Sequence, residues 1–144
     1  MSTILRLTFS TLVITMLFSC QSEQQKKGPI LESGIYKVAI LYPNGEGKSF
    51  DLNYYETKHM PMVAGFIGDN LRFYEIDKGI GGRAPGETAP YAAIGYFFIK
   101  DVEAYNRVIG ENIDAIISDF KNYTNIQPII QISEIKQVEY NIKK

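Results

Sequence analysis

Two stretches of this chain, Ile35–Tyr42 and Tyr91–Ile99, are apolar at nearly every position. Both are rich in β-branched and aromatic residues. The first is bounded by Ser33-Gly34 and Pro43-Asn44-Gly45, so each reads as a strand between turns. A strand with one wet face alternates polar and apolar residues. These two do not, so both of their faces must be covered. Lys37 is the only charge in the first stretch, and the second has none. Whatever this chain folds into must bury two strands on both sides.

The other elements narrow the choice. Residues 71–78 and 127–138 read as strands that mix polar and apolar positions. Between the first pair of strands, Asp51 is a plausible helix N-cap, with Phe50 before it and Tyr55 four positions later as a hydrophobic staple. Leu52, Tyr55, His59 and Met62 follow at steps of three and four and form one apolar stripe. Pro61 is expected to end or kink that helix. Positions 60–67 continue as a short second piece, stopped by Gly68-Asp69-Asn70. A second helix opens at Asp101 and carries Val102, Tyr105, Ile109, Ile113, Ile116 and Phe120 on one face. The order is therefore β-α-β-β-α-β. Such a chain forms an α+β, ferredoxin-like unit: a four-stranded antiparallel sheet with two helices on one face. Strands one and three lie in the middle of that sheet, and they are the two that are apolar on both parities. Helices cover only one face, so the other needs a cover. The simplest is the same sheet of a second copy, closing a dimeric α/β barrel.

The ends carry different information. Residues 1–19 hold one basic side chain, Arg6, then an apolar run of about the length of a signal-peptide core and too short to span a bilayer. The run ends in Leu17-Phe18-Ser19-Cys20, which resembles the bacterial lipobox, with Phe18 bulkier than the usual occupant. Cys20 is the only cysteine. The expectation is a lipoprotein: Cys20 acylated, residues 20–32 a polar tether, 33–140 the folded domain and 141–144 a tail. Acyl chains would hold the protein to a membrane of the cell envelope, at about 0.8 kcal/mol per buried methylene. An ordinary secretory signal ending in a chance cysteine is the plainer alternative. One cysteine allows no intramolecular disulfide.

Charge excludes one class of partner. Lys and Arg number 15 against 16 Asp and Glu, with no basic block. Nucleic-acid binding needs a clustered positive face, and none is present. A metal site is not expected either, because one histidine and no free cysteine in the mature chain leave no nitrogen or sulfur ligand cluster.

That single histidine, His59, lies on the apolar stripe of the first helix. It is either a hydrogen-bonded core residue near Pro61 or a general acid/base at a pocket wall. Tyr55, one turn earlier on the same stripe, is its preferred partner. Leu52, Met62, Tyr36, Tyr91 and Tyr96 are the further candidates for contact with a small ligand, since a tyrosine brings an apolar ring and a hydroxyl together. For any one of them, ordinary packing is the plainer role. The Gly-rich loop 79–86 joins two strands, not a strand to a helix N-terminus, so it is no phosphate cradle. It reads as a connection or a pocket rim.

The segment Tyr54-Tyr55-x-x-x-His59-Met60-Pro61-Met62, together with Ala89-Pro90-Tyr91-x-Ala93-x-Gly95-Tyr96-Phe97, resembles the EthD family of dimeric α/β barrel proteins. The resemblance spans about residues 34–138. It implies a homodimer with a pocket between sheet and helices, and a role in the metabolism of small organic molecules. Members are often labelled oxidoreductases. The wider superfamily includes cofactor-free monooxygenases, isomerases and haem-binding peroxidases. No cofactor is expected here, and haem has no second signal beside the lone histidine. The expectation is an exported, lipid-anchored protein binding a small, mostly apolar, oxygenated molecule. It would act as a cofactor-free oxidoreductase or isomerase with His59 as acid/base, or else capture the ligand without turnover. A purely structural dimer, its pocket plugged by its own rings, is the third reading.

Overall fold

The computed structural model describes residue 31 and residues 33–140. The signal segment 1–19, Cys20, the tether apart from residue 31, and the tail 141–144 lie outside the described residues. Four strands are present: β1 Tyr36–Pro43, β2 Leu71–Lys78, β3 Tyr91–Ile99 and β4 Ile129–Glu134. They form one antiparallel sheet in the order β2-β3-β1-β4. The two apolar strands are thus the inner ones. Val38, Ile40 and Tyr42 of β1 and Ala93, Phe97 and Ile99 of β3 share a core with the helices. The opposite parity, which includes Ala39, Leu41, Ile94, Tyr96 and Phe98, forms the second face of the sheet. This is the α+β, ferredoxin-like arrangement that the element order requires.

The first helical stretch starts as its sequence dictates. Asp51 Oδ1 accepts from the Tyr54 amide at 3.0 Å, satisfying one of the amides that a helix start leaves open. The Phe50 and Tyr55 rings meet edge to face at 5.1 Å between centroids, the staple that fixes the entry of the chain. The helix then departs from the simple pattern. After α1 (Leu52–Tyr54), residues Tyr55–His59 form a π turn, and α2 (Met60–Ile67) follows without a break. The Met60 amide donates to the Tyr55 carbonyl, five residues back. Pro61 does not end the helix; it is the second residue of α2, directly after the π turn. The extra residue in the π turn rotates everything after it by about 100°. The inward stripe therefore changes from Tyr55 and His59 to Met60, Val63 and Ile67, all buried. Met62, expected on the stripe, is only half-buried. Gly68, at φ 56°, closes the helix in a backbone region that suits glycine.

The second helix also differs from expectation. Asp101 caps α3 (Val102–Glu111) through Oδ1 to the Ala104 amide at 2.6 Å. The helix breaks at Asn112 and resumes as α4 (Ile113–Asp119). The Asn112 amide is shared between the Val108 and Ile109 carbonyls at 3.2 Å each, and its side chain donates to the Val108 carbonyl at 2.8 Å. An asparagine that bonds its own backbone competes with the helical ladder. β4 is shorter than residues 127–138. Pro128 has no N–H to give the ladder at its start. Beyond Glu134 the pairing becomes irregular, with Ile135 exchanging bonds with Ile35 and Gly34 at 2.9 Å.

Candidate functional site

The segment after α4 is sewn to the segment before α1. The Asp51 amide donates to the Tyr123 carbonyl at 2.7 Å, and Thr124 Oγ1 donates to the Ser49 carbonyl at 2.8 Å. Asn125 accepts from the Ser49 amide at 2.9 Å and donates to the Gly47 carbonyl at 2.8 Å. These bonds bring the end of α4 against the π turn. His59 Nδ1 consequently lies 2.8 Å from Asp119 Oδ2. The other carboxylate oxygen of Asp119 accepts from the Tyr54 hydroxyl and from Asn122 Nδ2, both at 2.8 Å. Asp119 is thus held on both oxygens. His59 is 4 % exposed and packed among rings, with Tyr55 stacked at 5.6 Å and Tyr123 at 4.6 Å between centroids.

Electrostatics assign the proton. Burial is the largest influence on His59 and pulls its pKa below 6.5, against the opposing pull of Asp119. Burial pushes Asp119 upward, but the hydrogen bonds from His59, Asn122 and Tyr54 outweigh it and hold the group below its ordinary 3.8. At neutral pH the pair is therefore a carboxylate and a neutral imidazole. The Nδ1–H is donated to Asp119, and Nε2 is left with a lone pair. Among the described residues no hydrogen-bond partner meets Nε2.

His59 forms part of the wall of a cavity of about 190 Å³ between the sheet and the helices. Tyr42, Tyr55 and Tyr105 also line it, with an apolar remainder that includes Ile40, Met60, Val63, Phe97 and Phe120. Ile113, Ile117, Gln127 and Ile130 stand at its outer end, and the three isoleucines there are 40 %, 56 % and 59 % exposed. The Tyr42 and Tyr123 hydroxyls bond each other at 2.9 Å. Burial raises the pKa of Tyr42, Tyr55 and Tyr123, and pushes Tyr105 up to about 12. All four hydroxyls stay protonated at neutral pH. Gly95 of β3 makes the arrangement possible: a Cβ there would stand 2.2 Å from the Tyr55 hydroxyl oxygen. Among the described residues no three His, Cys, Asp or Glu side chains converge.

The cavity wall brings together two residues singled out from the sequence, Tyr55 and His59. It leaves out five others. Leu52, Met62 and Tyr36 pack against the core without lining the cavity. Tyr91 sits at the start of β3 opposite Pro43. Tyr96 lies on the second face of the sheet, opposite Ala39 and Glu75, with the Lys37 ammonium 5.3 Å from its ring. Sequence reasoning did not assign Asp119, Tyr42, Tyr105 and Tyr123 to the site. One signal was present: an acid directly before Phe120, at the end of a helix that must share a sheet face with the His59 helix.

A ferredoxin-like sheet, with a buried histidine–carboxylate pair beside an apolar cavity, defines an α+β protein with a pocket between sheet and helices. No family model and no curated protein sequence matches the chain. Solved structures do. An EthD-like protein from Ralstonia eutropha is 35 % identical, with a TM-score of 0.71, over 76 % of this chain and 98 % of that one. An ethyl tert-butyl ether D (EthD) family protein from Bacillus halodurans is 19 % identical, with a TM-score of 0.52, over 69 % of this chain and 97 % of that one; it shares the fold. The chain belongs to the EthD-like family.

Proposed function

We propose that this chain is an exported, lipid-anchored homodimer that binds a small, mostly apolar, oxygen-bearing molecule and carries out cofactor-free proton transfer on it, as an isomerase or oxidoreductase, with His59 as acid/base. The observation that carries the chemistry is the His59–Asp119 pair, joined through Nδ1 at 2.8 Å, with His59 on the cavity wall. A general base works best when its pKa lies near the working pH and its geometry is fixed. Asp119 is a positioning residue: it selects the Nδ1–H tautomer and would balance the imidazolium formed in turnover. The cavity argues against a pocket plugged by its own rings.

Two further features support the assembly. The second sheet face keeps Leu41, Ile94 and Tyr96 only half-buried and Ile129 55 % exposed, an apolar surface suited to a second copy. The lipobox-like Leu17-Phe18-Ser19-Cys20 supports acylation at Cys20 and residence in the cell envelope. Among the described residues no helix is long and apolar enough to cross a membrane.

Native mass spectrometry of the protein extracted from its own host tests these parts together. Two copies, each with acyl mass on Cys20 and a retained small organic ligand, are expected. A lone subunit without acyl mass would remove the anchor and the dimer. For the chemistry, His59→Ala is expected to abolish turnover of that ligand while the variant still binds it. A His59→Ala protein that turns over normally would remove His59 from the mechanism. A wild type that binds and never turns over would make this a ligand-capture lipoprotein instead.

A further inference from the structure

We infer that the substrate is a small, neutral, enolisable carbonyl compound, and that Tyr105 donates a hydrogen bond to its oxygen while His59 moves its proton. This rests on the reading of His59 as the acid/base, and three observations on the cavity take it further.

The first is size. An apolar cavity of about 150 Å³ accepts benzene. One of about 190 Å³ therefore holds a six-membered ring, and its outer end at the exposed Ile113, Ile117 and Ile130 leaves room for a substituent. The second is charge. Among the described residues no Lys, Arg, Asp or Glu lines the cavity, so a carboxylate or phosphate on the substrate would lack a charged partner there, at heavy cost. Among the same residues no Ser, Thr or Cys lines it either, which leaves them no aliphatic hydroxyl or thiol nucleophile for acyl transfer.

The third is the division of polar groups. Among the described residues His59 is the only basic side chain lining the cavity, and its Nδ1 is taken by Asp119, which leaves Nε2 as the basic acceptor. The neutral hydroxyls there belong to Tyr42, Tyr55 and Tyr105. Tyr42 is already engaged with Tyr123. The Tyr55 hydroxyl stands against the sheet at Gly95 and is engaged with Tyr42, whereas the Tyr105 hydroxyl has no partner among the described residues. One base and one spare neutral donor, set among apolar walls, are what a carbonyl with an acidic α-hydrogen needs. The base takes the hydrogen, and the donor stabilises the oxygen that gains charge.

The step balances without an oxidant or reductant. Nε2 takes the α-proton: a C–H bond breaks and an N–H bond forms. The C–H electron pair moves into the carbonyl, making a dienolate whose oxygen accepts from Tyr105. The imidazolium, paired with the Asp119 carboxylate, returns the proton to the γ-carbon. The double bond moves into conjugation, and His59 ends as it began.

The test uses the full chain. Cyclohexenone with its double bond in the β,γ position is the reactive probe, followed by absorbance of the conjugated product. Phenol is the unreactive planar mimic of the dienolate, followed by calorimetry. Isomerisation by the wild type is expected. Tyr105→Phe is expected to lower kcat by about 10²-fold, with KM little changed and melting temperature retained. Unchanged kcat in Tyr105→Phe would overturn the donor assignment. Phenol binding without isomerisation, and without exchange of the probe's α-hydrogens in deuterium oxide, would overturn enolisation while leaving a ligand pocket in place. Failure of both probes to bind would overturn the pocket reading itself.

Discussion

An imidazole tied at one nitrogen to a carboxylate, and otherwise walled by rings, shifts its titration according to which influence is larger. For His59 burial exceeds the Asp119 attraction and the pKa falls below 6.5. The unfolded chain therefore binds a proton to His59 at a higher pH than the folded one does. Stability tied to His59 is complete above about pH 6.5 and declines as pH falls from there toward its folded value. Asp119, held below 3.8, adds stability that is present above that value and lost only at lower pH. We expect urea midpoints to fall between pH 7 and pH 5, and this slope to flatten in His59→Gln. Midpoints that rise on acidification would mean that the ion pair wins. Because His59 is the only histidine, its imidazole resonances need no assignment. Removing the charge in Asp119→Asn is expected to lower the His59 pKa further, read by NMR titration. Where turnover is measured, the acid limb of the rate profile should move to lower pH with it.

At the scale of elements, the site depends on a helix that carries one residue too many. In a regular helix His59 and Met60 would diverge by about 100°. The π turn lets His59 face Asp119 while Met60, Val63 and Ile67 take over the core stripe. Packing between this helix and β3 is then tight at one point, where Gly95 admits the Tyr55 hydroxyl. Gly95→Ala is expected to cost about 1–3 kcal/mol through overpacking. Adding Tyr55→Phe, which removes the oxygen in the way, should recover part of the loss, a coupling that denaturant titration of the two single variants and the double variant would measure. The cap behaves differently. Asp51→Ala is expected to cost about 1 kcal/mol and to leave the His59 titration unchanged, because the cap bond to Tyr54 lies outside the His59–Asp119 pair.

At the scale of the whole molecule, the sheet has one face packed by helices and one carrying half-buried apolar side chains. We expect sedimentation at micromolar concentration to give twice the mass of one chain, and Ile94→Glu, on the second face, to return single copies that still fold. Wild type found as single copies throughout would leave that face without its proposed cover.

The strand order, the two apolar inner strands, the helix caps and the position of the catalytic candidate were all legible in the chain. They depend on spacing over a few residues: parity in a strand, steps of three and four in a helix, a cap and its turn. His59 could be singled out because nothing else in the composition resembles it. The carboxylate partner of that histidine, the π turn that aims it and the places of Tyr42, Tyr105 and Tyr123 were decided only in three dimensions. Residues 59 and 119 meet because both helices lie on one sheet face and the loops around Ser49 and Asn125 bond them together. No local pattern encodes such a contact, since it arises from the packing of elements that lie far apart along the chain.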